Sequence, residues 1–121
     1  MITMVDTCVF CQIISGKIKA NIIYKNELVT VFEDSKPIAP IHLLIVPNKH
    51  IHSINEVETQ DSLLLAEMLL IARDMAKKAG ISDDGYRLMI NTGDNGRQTV
   101  FHLHLHLIGG KKLLGRLAVN G

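Results

Sequence analysis

The residues with chemistry in them crowd into one short run, Phe-His-Leu-His-Leu-His-Leu-Ile at positions 101–108. His102, His104 and His106, three of the chain's six histidines, occupy alternate positions with leucines between them. Successive side chains of a strand point to opposite faces. The spacing therefore predicts three imidazoles on one face and Leu103, Leu105 and Leu107 on the other. The leucine face asks for a core, and the histidine face asks for a use.

Three uses compete. The plainest is a solvated sheet face, but strict alternation of so infrequent a residue argues against chance. The second is a metal site, since His-x-His on a strand aims two imidazoles at one ion, although zinc wants further ligands and catalytic zinc a nearby base. No carboxylate lies within five positions of the run on either side. The third is nucleophilic catalysis. A neutral imidazole attacks phosphorus or an acyl carbon at pH 7, while neighbours about 7 Å along the same face donate protons and stabilise charge. No Ser or Cys is placed as an activated nucleophile, and no Gly-x-x-x-x-Gly-Lys phosphate loop is present.

The elements that must position these histidines follow from periodicity. Residues 8–15 place apolar side chains at 9, 10, 13 and 14 ahead of Gly16, which predicts a short helix. Residues 22–24 and 28–32 are β-rich runs on either side of Lys25-Asn26-Glu27, a hairpin pattern. Pro37 and Pro40 make 33–41 a loop. The continuous apolar run 42–46, closed by Pro47, reads as a central strand. Residues 59–79 are helical throughout: Thr59 or Asp61 can cap the start, and Leu64, Met68, Ile71, Ala72 and Met75 form a stripe that Gly80 ends. Leu63, Leu65, Leu69 and Leu70 widen that stripe, so the helix is either deeply buried or packed against a second copy. Residues 86–91 form a further strand and 93–96 a turn; residues 1–7 and the last eleven read as irregular tails. Strands outnumber helices, which predicts an α+β fold with a mostly antiparallel sheet of five strands, one long helix and a short N-terminal helix.

Composition bounds the function. The 121 residues make one domain, 1–121, with a core over about 8–112. A net charge of +1 and no Trp disfavour a nucleic-acid partner. The longest apolar run, 63–72 with Glu67 inside it, is too short to span a membrane. The first residues lack a positive-then-apolar block, so a cytoplasmic location is expected. Cys8 and Cys11 sit three apart, a spacing that suggests a metal or redox site more than a structural disulfide.

The His-Leu-His-Leu-His-Leu-Ile run at 102–108 resembles the motif that names the histidine triad (HIT) family. Residues 39–50, with Pro40-Ile41-His42, a strand and Pro47-Asn48-Lys49-His50, resemble its second signature. Residues 8–16 resemble its N-terminal opening, and Asn91, Gly96 and Gln98-Thr99-Val100 fall where that family has Asn, Gly and Gln-Ser/Thr-Val. Gly109-Gly110-Lys111 looks like the Hint branch, the histidine triad nucleotide-binding proteins, more than the Fhit branch.

The resemblance implies a homodimer that binds a purine nucleoside monophosphate and hydrolyses nucleoside 5′-phosphoramidates of the AMP-amine type. The alternatives it leaves are a dinucleoside polyphosphate hydrolase of the Fhit kind and a non-catalytic nucleotide-sensing module. It makes His104 the nucleophile, His102 its orienting partner, and His106 a phosphate contact that assists proton transfer. His42 completes the imidazole cluster, and Thr99 bonds the phosphate or the leaving group. Asn91, Gln98 and the Gly96-Arg97 backbone hold the phosphate, with Val100 alongside. Asp34 takes the ribose hydroxyls, and Phe10, Ile13 and Phe32 line the base pocket. No cofactor is required for catalysis, but a structural zinc on Cys8, Cys11, His50 and His102 is implied as possible, against a reduced cysteine pair without metal. Arg97 departs from the Hint pattern, which often has Gly there, and the 113–121 tail departs from its usual ending. Outside the motifs, His52, Lys49 and Lys111 read as solvated surface residues, and residues 93–96 as a plain turn on spacing alone.

Overall fold

The computed structural model describes residues 7–115, so the expected irregular tails lie largely outside the described residues. Helix α1 spans Val9–Ile14, then come β1 (Ile22–Lys25), β2 (Val29–Glu33) and β3 (Ile41–Pro47). Two single 3₁₀ turns, Ile54–Glu56 and Thr59–Asp61, lead into the long helix α2 (Ser62–Lys78), followed by β4 (Tyr86–Met89) and β5 (Leu105–Gly109). The sheet order is β1-β2-β3-β5-β4 and every ladder is antiparallel. Among the described residues no helix is long and apolar enough to cross a membrane.

The central strands are apolar on both sides because both faces are covered. Val29, Val31, Leu43, Ile45, Leu105 and Leu107 pack with Leu64, Met68, Ile71, Ala72 and Met75 of α2. Phe32, Leu44 and Val46 point the other way, to Phe10 and Ile13 of α1. The hairpin turn is held by Asn26, whose Oδ1 accepts from Leu28 N–H (2.8 Å) and Val29 N–H (2.9 Å).

Helix α2 begins three residues later than its pattern suggests. Thr59–Asp61 is a 3₁₀ turn, and the Asp61 carboxylate accepts from Glu58 N–H (3.0 Å) and Lys49 Nζ (2.8 Å) instead of capping the helix. Lys49 is exposed, as expected of a surface lysine, and is ion-paired with Asp61. At the other end Gly80 takes φ 75°, with Gly80 N–H bonded to Lys77 O and Ile81 N–H to Ala76 O, a Schellman closure that only Gly adopts without strain. The deeply buried reading of the wide stripe is corrected: Leu63, Leu69 and Leu70 are 81%, 51% and 45% exposed.

The histidine strand is shorter than its sequence pattern. β5 pairs with β3 only as far as Ile45↔Leu105, so residues 101–104 stand outside the ladder. Pro47 has no amide hydrogen with which to extend it. Its carbonyl accepts from the His102 ring instead (Nε2, 2.8 Å), and Leu103 N–H turns to Ile51 O (2.7 Å). The side-chain alternation nevertheless holds through this stretch. Leu103, Leu105 and Leu107 all enter the α2 core, a burial of about 2 kcal/mol each. That register forces His102, His104 and His106 into the opposite layer, where none is more than 2% exposed. The solvated-face reading is excluded.

Candidate active site

The buried histidines form two clusters that meet at His104. In the first, His102 donates Nε2–H to Pro47 O, so its neutral ring turns the Nδ1 lone pair toward the cysteines. His102 Nδ1 lies 3.3 Å from Cys8 Sγ, 3.5 Å from Cys11 Sγ and 3.2 Å from His50 Nδ1, and Cys11 Sγ is 3.3 Å from His50 Nδ1. A tetrahedral zinc with bonds of about 2.3 Å to sulfur and 2.0–2.1 Å to nitrogen spaces its ligands roughly 3.3–3.8 Å apart. The four donor atoms already stand close to that spacing, and all lie within 4.8 Å of one another. Burial drives both sides toward their neutral forms. It pushes the Cys11 thiol up to about 12, aided by Cys8, and His102 down to about 4, against the bond to Pro47.

In the second cluster His42 Nε2 lies 2.9 Å from His106 Nδ1 and 3.4 Å from Asp34 Oδ2. The sheet register accounts for this: His42 faces Ile108 and Leu44 faces His106, so the two imidazoles are diagonal neighbours on one face. Burial lowers His106 to about 3, with His104 and His42 adding to the fall.

His104 lies between the clusters, its ring centre 5.0 Å from that of His106 and 5.0 Å from Phe10, which meets it edge-on. Its Nδ1 is 2.7 Å from His102 O. A carbonyl only accepts, so the proton is on Nδ1 and Nε2 keeps its lone pair. Burial, the largest effect, lowers the His104 pKa against that hydrogen bond. His104 Nε2 is buried and has no hydrogen-bond partner among the described residues.

A cavity of about 950 Å³ opens beside it, and of the residues singled out from sequence it gathers Phe10, Ile13, Phe32, Asp34, His42, Thr99, Val100 and His104. Phe10 and Phe32 meet edge-to-face at 5.3 Å and make an apolar slot. Asp34 stands at its rim, one carboxylate oxygen accepting from Lys36 N–H at 2.8 Å. Ile18, Lys19, Asn21, Ser35, Lys36 and Ile38 also line the cavity; they carry no motif, and only the folding of two loops over the sheet brings them there.

In the loop 91–98 the Gln98 side chain departs from its expected role. Gln98 is 5% exposed; its Oε1 accepts from Gly93 N–H (3.0 Å), and its Nε2 donates to His52 O (2.8 Å) and Val100 O (3.1 Å). Both amide hydrogens are spent, so Gln98 is a staple of the loop and has none left for a phosphate. Gly96 is demanded by packing, since a Cβ there would sit 2.3 Å from Thr92 O. Arg97 is exposed and, at φ 65°, is the one non-glycine with positive φ among the described residues. Asn91 is half-buried just beyond β4 and is not among the cavity's lining residues. His52, expected to be solvated, is half-buried and stacks on Phe101 with ring centres 5.0 Å apart.

Comparison with known proteins meets this geometry. A family model described as scavenger mRNA decapping enzyme C-term binding matches residues 7–117. The purine nucleoside phosphoramidase of Escherichia coli K12 is 42% identical over 118 residues, 98% of this chain and 99% of that one. A HIT family hydrolase from Legionella pneumophila superposes with a TM-score of 0.88 at 44% identity, covering 89% of this chain and 96% of that one. The chain belongs to the histidine triad family. Within that family a zinc-bound histidine triad protein from Mycobacterium smegmatis shares the fold, with a TM-score of 0.77 at 32% identity over 93% of this chain and 83% of that one. The HIT motif of this chain is therefore the structure's two-cluster junction, not a row of equivalent imidazoles.

Proposed function

We propose that this HIT protein hydrolyses purine nucleoside 5′-phosphoramidates through a nucleotidyl-His104 intermediate. The observation that carries the reading is His104 Nε2, a buried lone pair without a partner among the described residues, at the wall of a cavity that combines an apolar slot with a carboxylate. The purine lies in the slot of Phe10, Ile13 and Phe32, and Asp34 accepts the ribose hydroxyls. His104 Nε2 attacks phosphorus, the P–N bond breaks, and the departing amine takes a proton from the imidazole side, where His106 stands. The His102 carbonyl, holding the Nδ1 proton, stabilises the positive charge that develops on the His104 ring. Water then attacks phosphorus and gives up its proton to the His106 ring, the P–His104 bond breaks, and the nucleoside monophosphate leaves. Thr99 bonds the phosphate or leaving group. The 42% identity to a purine nucleoside phosphoramidase supports the substrate class.

Cys8, Cys11, His50 and His102 hold a structural zinc in this reading. When bound, it clamps α1 to the segment before β5 and takes no part in bond breaking. The exposed Leu63, Leu69 and Leu70 of α2 form the face that a second copy covers.

The test is turnover of a fluorogenic adenosine phosphoramidate by His104→Ala and His104→Gly. Both are expected to fall by at least about a hundredfold with the fold retained. Near wild-type rates in either would remove His104 as the nucleophile.

A further inference from the structure

The proton on His104 is placed by a carbonyl; the pair behind it faces an amide. The chain leaving β2 is bent by Pro37 and by a turn in which Lys36 N–H donates to Asp34 Oδ1 at 2.8 Å. That bend brings Ile38 N–H to 3.2 Å from His42 Nδ1. A backbone N–H can only donate, so His42 Nδ1 holds a lone pair. Burial lowers the pKa of His42, against the pull of Asp34, and of His106, so both rings are neutral near pH 7. The single proton of His42 is then on Nε2, 2.9 Å from His106 Nδ1. His106 Nδ1 accepts it, and the proton of His106 is on Nε2, a buried nitrogen with no hydrogen-bond partner among the described residues.

We propose that the Ile38 backbone amide is a positioning group of this site: it fixes the proton on His42 Nε2 and, through that ring, on His106 Nε2. Two adjacent triad histidines thus hold opposite tautomers, each dictated by one main-chain group. His104 presents a lone pair because the His102 carbonyl takes its Nδ1 proton, and His106 presents N–H because the Ile38 amide takes the His42 lone pair.

The same amide keeps a metal off this cluster. Asp34, His42 and His106 bring three ligand atoms within 4.8 Å of one another. An ion on His42 Nε2 would need that ring's proton on Nδ1, donor against donor with Ile38 N–H. The Pro47 carbonyl likewise holds the His102 proton on Nε2, but there the Nδ1 lone pair faces the cysteines. The proposal rests on the hydrolase reading only for what the His106 proton is used for, protonation of the departing amine.

The experiment is two-bond ¹H–¹⁵N correlation on the full chain labelled at histidine, assigned by single His→Gln variants. The expected spectrum has protonated Nε2 on His42 and His106 and protonated Nδ1 on His104. A proton on His42 Nδ1 overturns the proposal outright. The second measurement replaces residue 38 by the α-hydroxy acid of isoleucine, an ester that removes only the N–H, with Ile38→Ala as the control that keeps it. In the ester, the other tautomer is expected to appear at His42 and His106. Its turnover is expected to drop about 10- to 100-fold for an alkylamine leaving group, and less than about threefold for an acidic phenol that leaves without a proton. Unchanged tautomers, or equal slowing on both substrates, defeat the positioning role. Should the ester variant not fold, the wild-type spectrum still decides the proton assignment. Wild-type protein that shows these tautomers but turns over no phosphoramidate refutes the hydrolase reading and leaves the assignment standing.

Discussion

Gln98→Ala separates a staple from a phosphate ligand. The wild-type side chain makes three hydrogen bonds at 2.8–3.1 Å and is 5% exposed, so truncation strands Gly93 N–H, His52 O and Val100 O. Each bond is worth about 1 kcal/mol net, and a stranded buried group costs about 1–3 kcal/mol. The loop 93–97 is exposed, so water recovers part of that loss. The expected cost is therefore about 2–3 kcal/mol, a fall in Tm on the order of 10 °C for a domain of this size. It is read as a shift of the urea midpoint at constant slope. Thr99 and Val100, which line the cavity, are carried by the same loop. Well below the melting temperature KM is expected to rise severalfold, with kcat falling less. Stability within about 0.5 kcal/mol of wild type, together with a hundredfold loss of kcat/KM, would refute the staple and return the amide hydrogens to the substrate.

The same loop should respond with opposite signs at neighbouring positions. Gly96→Ala sets a Cβ 2.3 Å from the Thr92 carbonyl, a backbone clash expected to cost at least about 2 kcal/mol. Arg97→Gly releases a left-handed strain of about 1–2 kcal/mol, less the roughly 0.5–1 kcal/mol of extra chain entropy glycine loses on folding. A gain of up to about 1.5 kcal/mol in urea melts is expected, and a loss would show that the arginine's contacts outweigh the strain. Stability should also fall on acidification. His42, His104 and His106 have folded pKa values below 6.5, so below that pH the unfolded chain binds more protons and stability drops as pH falls. Each contributes up to about 1.4 kcal/mol per pH unit, for His106 down to about pH 3. A urea midpoint flat between pH 7 and 5 would contradict their neutral burial. Protein purified without chelator should carry about one zinc per chain, lost in Cys11→Ser; metal analysis finding none would sink that site.

Much of the fold was legible in the sequence because burial patterns are local. The period-two alternation at 102–108 placed Leu103, Leu105 and Leu107 in the core and the histidines opposite, and the helical stripe of Leu64, Met68, Ile71, Ala72 and Met75 is the observed buried face. Gly80 stopped the helix as its permissive backbone allows. The limits of these elements were less legible, because they depend on what lies across the sheet. β5 starts at Leu105 because its partner strand ends in a proline, and α2 starts at Ser62 because the Asp61 carboxylate is bound to Glu58 N–H and Lys49.

The chemical types at the site were written in the chain: four imidazoles that prove to be buried, two of them lining the cavity, with a carboxylate, an apolar slot and a cysteine pair. Their tasks were not. A neutral imidazole is a lone pair on one side and a donor on the other, and sequence cannot say which nitrogen carries the proton. Main-chain groups distant in sequence from the rings they face decide it: Pro47 O turns the His102 lone pair toward the cysteines, His102 O frees that of His104, and Ile38 N–H sets that of His42. Gln98 likewise matched a phosphate-binding motif, but folding committed both its hydrogens to carbonyls. Sequence by itself determined which side chains share a layer, because that follows from periodicity and apolar burial. Only tertiary structure decided which ring nitrogen keeps a lone pair and which carries the proton, because that depends on backbone groups brought to bonding distance by the fold.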